Sequence, residues 1–439
     1  MTLLDLTPRA TMTGRLTTLP VVIIGAGPIG LAAAANLAER GIDFIILEAG
    51  HEAAASVRLW GHTRLFSPWR HLIDPASQRL LDAAGWTAPR DEDRVPTGRE
   101  LVEDYLAPLA DLDVIRSRIR FDARVIAVSR QGMDRTRTAA RDQTPFLVRI
   151  ETAEGGLDEL PARAVIDASG TYRSPNPLNS SGLEPVGADG VRGLVIHALP
   201  DVLGNDRSRF AGNHTTVVGA GHSAANTLIA LAELADSEPD TRVTWMIRNA
   251  SAARVSSSTD DELADRARLG SRVDQLVEAG VIRKVDSFEI SRISRHGDGI
   301  QLVGFRRGEP VTHETDLVVN ATGFRPDLDM LREIRLQLDD IVEAPVRLAP
   351  LIDPNLHSCG TVEPHGFEQL RHPESGFFLV GMKSYGRAPT FLLATGYEQV
   401  RSVTAWLDGD MRAATEIQLI LPATGVCSTS LNTDGSCCS

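Results

Sequence analysis

Two stretches of this chain read strand, glycine turn, helix, and a chain that carries the pattern twice is constrained by it more than by any other feature. The first is PVVIIGAGPIGLAAAANLAERGIDFIILEAG, residues 20–50. Val21 to Ile24 form a short apolar run suited to a buried parallel strand, and it turns at Gly25, Gly27 and Gly30 into an alanine-rich helix opened by Pro28. Gly25 permits the tight turn, Gly27 lets backbone approach a pyrophosphate, and Gly30 lets the helix pack on the strand. The next apolar run, Phe44 to Leu47, ends at Glu48, where a carboxylate can accept hydrogen bonds from a ribose diol.

The second stretch is TTVVGAGHSAANTLIALAEL, residues 215–234. Gly219 and Gly221 repeat the turn, and Ala224 replaces the third glycine, where only smallness is required. His222 and Ser223 open the helix and read as nucleotide-positioning residues. The following strand, Val243 to Ile247, ends at Arg248 instead of an acid, and a guanidinium there can pair with a 2′-phosphate. An acid-ended first site and an Arg-ended second site predict FAD on the first and NADPH on the second. The fold class expected is α/β, with two Rossmann-like dinucleotide-binding domains.

The 439 residues suffice for two or three domains. A formal net charge of -13 argues against nucleic acid or an anionic membrane as partner, since those surfaces need clustered Lys and Arg. No run approaches the ~20 apolar residues of a membrane span. Residues 1–19 lack a compact apolar signal core and read as the flexible leader of a cytoplasmic protein. Four cysteines, all beyond residue 358, make no disulfide framework and suit a reducing compartment. A homodimer is compatible with the sequence and not specified by it.

With both turns in place, the chain resembles the two-dinucleotide-binding flavoproteins of the pyridine nucleotide-disulfide oxidoreductase superfamily, and within them the flavin-containing monooxygenases. AVIDASGTYRSPNP (Ala164 to Pro177) is similar to the segment by which that family leaves its FAD domain. DLVVNATGFRPDLDML (Asp316 to Leu331) resembles the return from the NADPH domain, and GFFLVGMKSYGRAPTFLLATGYEQV (Gly376 to Val400) resembles the last FAD-contacting strand and helix. The resemblance adds Gly170, Thr322, Gly323, Gly381 and Thr390 to the cofactor-contacting set. It implies a discontinuous FAD domain, residues 20–205 and 331–421, interrupted by an NADPH domain at 206–330 and followed by a flexible tail from 422 to 439. Two departures stand out. The family's aromatic-ended fingerprint appears as VRGLVIHALPD, with Gly193 and His197 kept but Val191 and Asp201 at the ends. The helix after Gly30 carries no CxxxxC pair of the kind that relays electrons in disulfide reductases. Segments such as LFSPW and GMKSYGRAPTFL also resemble flavoproteins that accompany arsenic resistance.

The loop SVRLWGHTRLFSPWRHLIDP, residues 56–75, gathers Trp60, Arg64, Phe66, Trp69 and Arg70 in a chain with only 5% aromatic residues. Aromatics beside cations there can line a flavin and screen it from water, which makes Trp60 a cofactor contact and Arg64 and Arg70 catalytic candidates. A helix is expected to begin near Pro389 and Thr390 and to close at Gly409, its positive end facing the flavin. The resemblance implies transfer of one oxygen atom from O2, through a flavin C4a-peroxide, to a soft small-molecule nucleophile: sulfur, nitrogen or trivalent arsenic. Two alternatives stay open. In one, electrons pass from flavin through Cys359 or through the tail cysteines Cys427, Cys437 and Cys438 to a disulfide or metalloid; in the other, those three tail thiols bind a soft metal or metalloid on a non-catalytic scaffold.

Overall fold

Four consecutive aliphatic residues, Val21 to Ile24, are fully enclosed, and a strand that is apolar on both faces has to be covered on both. The computed structural model describes residues 16–250, 264–354, 363–388 and 391–419, without the side chains of 264–268. In it β1 (Val21–Ile24) leads through the first glycine turn into α1 (Pro28–Glu39), and β2 (Phe44–Leu47) returns parallel to β1 with Val21 opposite Phe44. On the other side of β1 lies β3 (Ala164–Asp167), also parallel, with Ile24 opposite Asp167. The short strands Ile119–Arg120 and Phe377–Leu379 complete a five-stranded sheet at its two edges. A strand from near residue 378 thus joins a sheet that begins at residue 21, across the whole intervening chain.

The second sheet repeats the plan. It contains β4 (His214–Val218), followed by α2 (His222–Ser237), then β5 (Arg242–Met246) and β6 (Leu317–Asn320), and the strands Ile282–Val285 and Val195–His197 lie at its edges. All its pairings are parallel. β5 ends one residue earlier than the sequence pattern suggests. Each parallel sheet carries a three-stranded antiparallel attachment: Arg124–Arg130, Phe146–Glu151 and Leu157–Ala162 in the first region, Phe288–His296, Gly299–Arg306 and Glu309–Thr315 in the second.

The last long helix, α3, runs Leu393–Asp408 and ends at Gly409, whose φ of 83° supplies the left-handed cap. Its start lies three residues past the Thr390 expected from sequence. Gly396 lies at its seat on α1: a Cβ there would lie 2.4 Å from Ile29 Cδ1, so a larger residue would require the Ile29 side chain to move.

A buried ion cluster ties the first antiparallel attachment to the C-terminal segment. Arg130 Nε donates to Glu374 Oε1 at 2.8 Å, and Arg141 Nε donates to Glu374 Oε2 at 2.9 Å. Each of the four terminal guanidinium nitrogens donates to a carbonyl, those of Thr144, Ser375, Asp134 and Glu333. Such a cluster is tolerated inside a protein because the charges are paired and every guanidinium nitrogen finds an acceptor.

Three buried histidines set the acid limit of this fold. Desolvation lowers His313, His365 and His372 from 6.5 to about 4. The unfolded chain therefore takes up protons before the folded one does, and stability falls as pH drops from 6.5 towards 4. His365 alone, with no exposed surface, removes up to about 3 kcal/mol over that window. Asp74 acts in the opposite sense, since burial raises its carboxyl to about 6, and it offsets part of the loss. Thermal melts are expected to show a midpoint that is level above pH 7 and falls progressively between pH 6.5 and 4.5; a midpoint unchanged to pH 4.5 would contradict the assignment.

Candidate functional site

At the carboxyl edge of the first sheet, the glycine turn is fixed on every side but one. Gly25 takes φ +97°, its N–H donates to the Leu47 carbonyl at 2.8 Å, and a Cβ on it would press on the Ala168 carbonyl at 3.0 Å. Ala26 donates to Glu48 Oε2 at 2.7 Å, and its carbonyl accepts from the Ala54 N–H at 2.9 Å. Gly30 abuts the turn so closely that a Cβ would lie 1.9 Å from the Gly25 carbonyl oxygen. Around Gly27, by contrast, a Cβ would meet nothing within 4 Å. α1 begins there with no side-chain cap, so the first-turn amides face open space. An uncapped helix N-terminus behind a cradle that one methyl group would enter fits a pyrophosphate. Glu48 is buried at the rim; its Oε1 also accepts from the Gly50 N–H at 2.8 Å, and its remaining lone pairs suit a ribose diol.

A layer of polar side chains beneath this turn is not apparent in the sequence. Lys383 and Asp167, each with at most 1% of its side chain exposed, pair at 2.7 Å, and Lys383 Nζ also donates to Ser169 Oγ at 3.1 Å. Asp167 Oδ1 accepts from the Ser169 hydroxyl at 2.6 Å. The pair joins the end of β3 to the turn after Phe377–Leu379, on the far side of Gly25. Gly381, at φ +67°, rests on Ile29 of α1 and donates its N–H to Gln399 Oε1 of α3 at 2.7 Å. Gln399 Nε2 reaches His365 Nε2 at 2.9 Å and the Ser384 hydroxyl at 3.0 Å. Gly170 takes φ +69° with open space around its Cα.

The second cradle has the same form. Gly219 takes φ +136°, and a Cβ on it would lie 2.2 Å from the Ala321 carbonyl, whereas Gly221 has nothing within 4 Å. α2 starts at His222 without a side-chain cap, Ser223 is half-buried, and Ala224 is buried against the sheet. Arg248 lies exposed two residues past the end of β5. Thr322 and Gly323 sit where the two connecting segments cross. The Thr322 hydroxyl donates to Asn320 Oδ1 at 2.7 Å, Asn176 donates its N–H to the Gly323 carbonyl, and Asn320 Nδ2 donates to the Asn176 carbonyl. These two residues bind the crossing together.

The aromatic loop spans both cradles. Phe66 packs on His222 with ring centroids 5.0 Å apart, so a side chain that follows the first nucleotide unit meets the first residue of the second helix. Farther along, Tyr397 of α3 donates its hydroxyl to the Leu72 carbonyl at 2.7 Å, and Trp69 is wholly buried. Trp60 lies half-buried over Gly98, where a Cβ would be 2.7 Å from its ring. Arg64 and Arg70 are exposed: Arg64 donates to the Val95 carbonyl at 2.7 Å, and Arg70 pairs with Asp93. The loop is held by backbone bonds from Leu65 to Pro96, Trp69 to Arg94 and Arg70 to Glu92. Thr390, Cys359, Cys427, Cys437 and Cys438 lie outside the described residues, as does residue range 1–15 of the expected leader. Among the described residues there is no cluster of metal-ligating side chains, and no helix is long and apolar enough to cross a membrane.

The open space at Gly27 makes a clean test. Gly27 has φ -78°, which alanine adopts freely, so Gly27→Ala is expected to melt within about 2 °C of the unaltered protein while the new methyl enters the cradle and FAD content falls at least tenfold. Full flavin absorbance in the purified variant would show that the pyrophosphate lies elsewhere.

The model of a family described as pyridine nucleotide-disulphide oxidoreductase matches residues 22–347. Indole-3-pyruvate monooxygenase YUCCA6 of Arabidopsis thaliana is 30% identical over 211 residues, 48% of this chain and 44% of that protein. The chain thus spans less than half the length of the curated relatives it matches. Among solved structures, a bacillithiol disulfide reductase from Bacillus cereus superposes with a TM-score of 0.64 at 21% identity, covering 89% of this chain and 99% of that one. A mutant flavin monooxygenase from Stenotrophomonas maltophilia superposes with a TM-score of 0.54 at 25% identity, again over 89% and 99%. The chain belongs to the pyridine nucleotide-disulphide oxidoreductase family.

Proposed function

We propose that this protein is an NADPH-dependent FAD monooxygenase that transfers one oxygen atom from O2 to a soft nucleophile: sulfur, nitrogen or trivalent arsenic. The observation that carries the reading is the pair of open glycine cradles, each at an uncapped helix start, with Phe66 and His222 linking the first to the second. When bound, FAD would supply hydride acceptance from the nicotinamide and activation of O2. The remaining tasks fall to the chain. Gly27 and the α1 amides hold the FAD pyrophosphate, and Glu48 holds its ribose. Gly221, His222 and Ser223 hold the NADPH pyrophosphate, and Arg248 takes the 2′-phosphate.

Water exclusion is assigned to the aromatic loop, whose Trp69 is buried and whose Phe66 and Trp60 are half-buried. Oxygen transfer to a lone pair on sulfur, nitrogen or arsenic requires no proton abstraction from the substrate, so the reading calls for no acid–base dyad. Arg64 and Arg70, exposed and paired, are left out of the catalytic set. We assign residues 20–205 and 331–421 to the FAD domain and 206–330 to the NADPH domain. The dithiol relay of the reductases has no counterpart after the first turn, because no cysteine precedes Cys359.

Two measurements test this reading. Arg248→Glu is expected to raise KM for NADPH tenfold or more, a loss of roughly 1.4 kcal/mol or more in binding if KM follows affinity, while KM for NADH changes less than twofold. Equal responses would remove Arg248 from the 2′-phosphate site. In stopped flow, protein reduced anaerobically with NADPH and mixed with oxygenated buffer is expected to show a transient absorbing species before the oxidised flavin spectrum returns. Direct reoxidation without a transient would favour a reductase.

A further inference from the structure

Trp245 occupies a position on β5 that a Rossmann strand commonly gives to an aliphatic residue, and it is 2% exposed. Its indole N–H donates to the Gly219 carbonyl at 2.8 Å. Gly219 is the first glycine of the second turn, and its own N–H donates to the Met246 carbonyl at 3.1 Å. Both polar groups of that residue are therefore held by β5, one by its backbone and one by a side chain. The third restraint comes from Ala321, the residue that follows β6, whose carbonyl leaves no room for a Cβ on Gly219. A glycine at φ +136° has wide conformational freedom unless its neighbours remove it, and here they do.

The ring itself is fixed in turn. Trp245 lies opposite Lys284 in the parallel register, and Lys284 Nζ stands 5.1 Å from the indole ring centroid. A cation over an indole face at that distance is attractive, and it limits rotation of the ring. The consequence reaches the ligand through the backbone only. The amides of Gly221, His222 and Ser223 follow two residues after Gly219, so the plane of the Gly219 peptide sets their aim.

We propose that Trp245 is a positioning residue for the dinucleotide at the second turn, acting through the Gly219 carbonyl and not by contact; this rests on the reading that the second turn binds NADPH. Because it orients the pyrophosphate cradle and not the 2′-phosphate, its loss weakens NADPH and NADH together. That signature is opposite to the one assigned to Arg248.

Trp245→Phe keeps an aromatic side chain on β5 and removes the N–H donor. In the FAD-loaded full chain, calorimetric titration with NADP+ is expected to show Kd raised about five- to tenfold, roughly 1.0–1.4 kcal/mol. KM for NADPH and NADH should rise by the same factor, with kcat at saturation and FAD content unchanged. An NADP+ affinity equal to that of the unaltered protein would overturn the proposal, as would a change confined to NADPH. Absence of NADP+ binding by the unaltered protein would instead sink the reading of the second site, and the proposal with it. If Trp245→Phe fails to hold FAD, fluorotryptophan labelling decides. Lys284→Met, which leaves the donor in place, identifies the Trp245 resonance by shifting it among the five tryptophan signals. That resonance is expected to move when NADP+ is added to the unaltered protein, and a resonance that stays put overturns the proposal.

Discussion

The contact on which the rest of this structure depends is the approach of Gly30 to the Gly25 carbonyl, where a side chain would stand 1.9 Å from oxygen. It lets α1 lie close enough to β1 for the helix to begin at the carboxyl edge of the sheet, so that its unsatisfied amides converge on the space beside Gly27. The alanines that follow, Ala32 to Ala35, are all buried, because a helix pressed this near a sheet leaves no room for larger residues. α3 extends the same condition by packing on Ile29 through Gly396. Helix, strand and turn are thus one unit, and the open cradle is what their close packing leaves over.

Much of this unit was legible in the sequence because its signals are local. The strands Val21–Ile24 and Phe44–Leu47 are bounded by glycines and by Glu48, and Gly409 ends α3 with the positive φ that its position implies. The start of α3 was misplaced by three residues. Pro389 and Thr390 are good helix-opening residues, yet Leu392 is the extended residue that precedes the first turn, and no side chain caps it. There Thr395 is buried and Gly396 packs on Ile29 of α1, long-range contacts that no local pattern encodes.

The residues that sequence reading missed share one property: each acts on a partner far away along the chain. Lys383 meets Asp167 across 216 positions, and Glu374 meets Arg130 across 244. Trp245 meets Gly219 across 26, from the neighbouring strand. A lysine or tryptophan inside an apolar run gives no sign of what it will face, since only the sheet order brings the partner alongside. Lys383 had one available signal, a cation within a segment that must cross the interior beside a strand ending in Asp167. That signal becomes readable only once β3 and Phe377–Leu379 are known to be neighbours.

The loop at residues 56–75 shows how a fixed scaffold leaves its chemistry to irregular segments. Its arginines, expected to act near the flavin, point to solvent and serve the loop itself through Val95 and Asp93. Its aromatic residues turn the other way, Trp69 into the core and Phe66 onto His222. Cations are cheap to leave in water and costly to bury unpaired, so a loop that must close over an apolar ring sorts its residues in this manner. The sorting has a consequence for the charge balance of the whole chain. With a net charge of -13, the proposed binding of two anionic dinucleotides has to draw its attraction from local sources. Two uncapped helix starts supply it at both cradles, and Arg248 adds a full charge at the second alone. On the proposed reading, the carboxylate of Glu48 beside the first cradle selects a ribose hydroxyl, and the cation near the same point of the second accommodates a phosphate in its place.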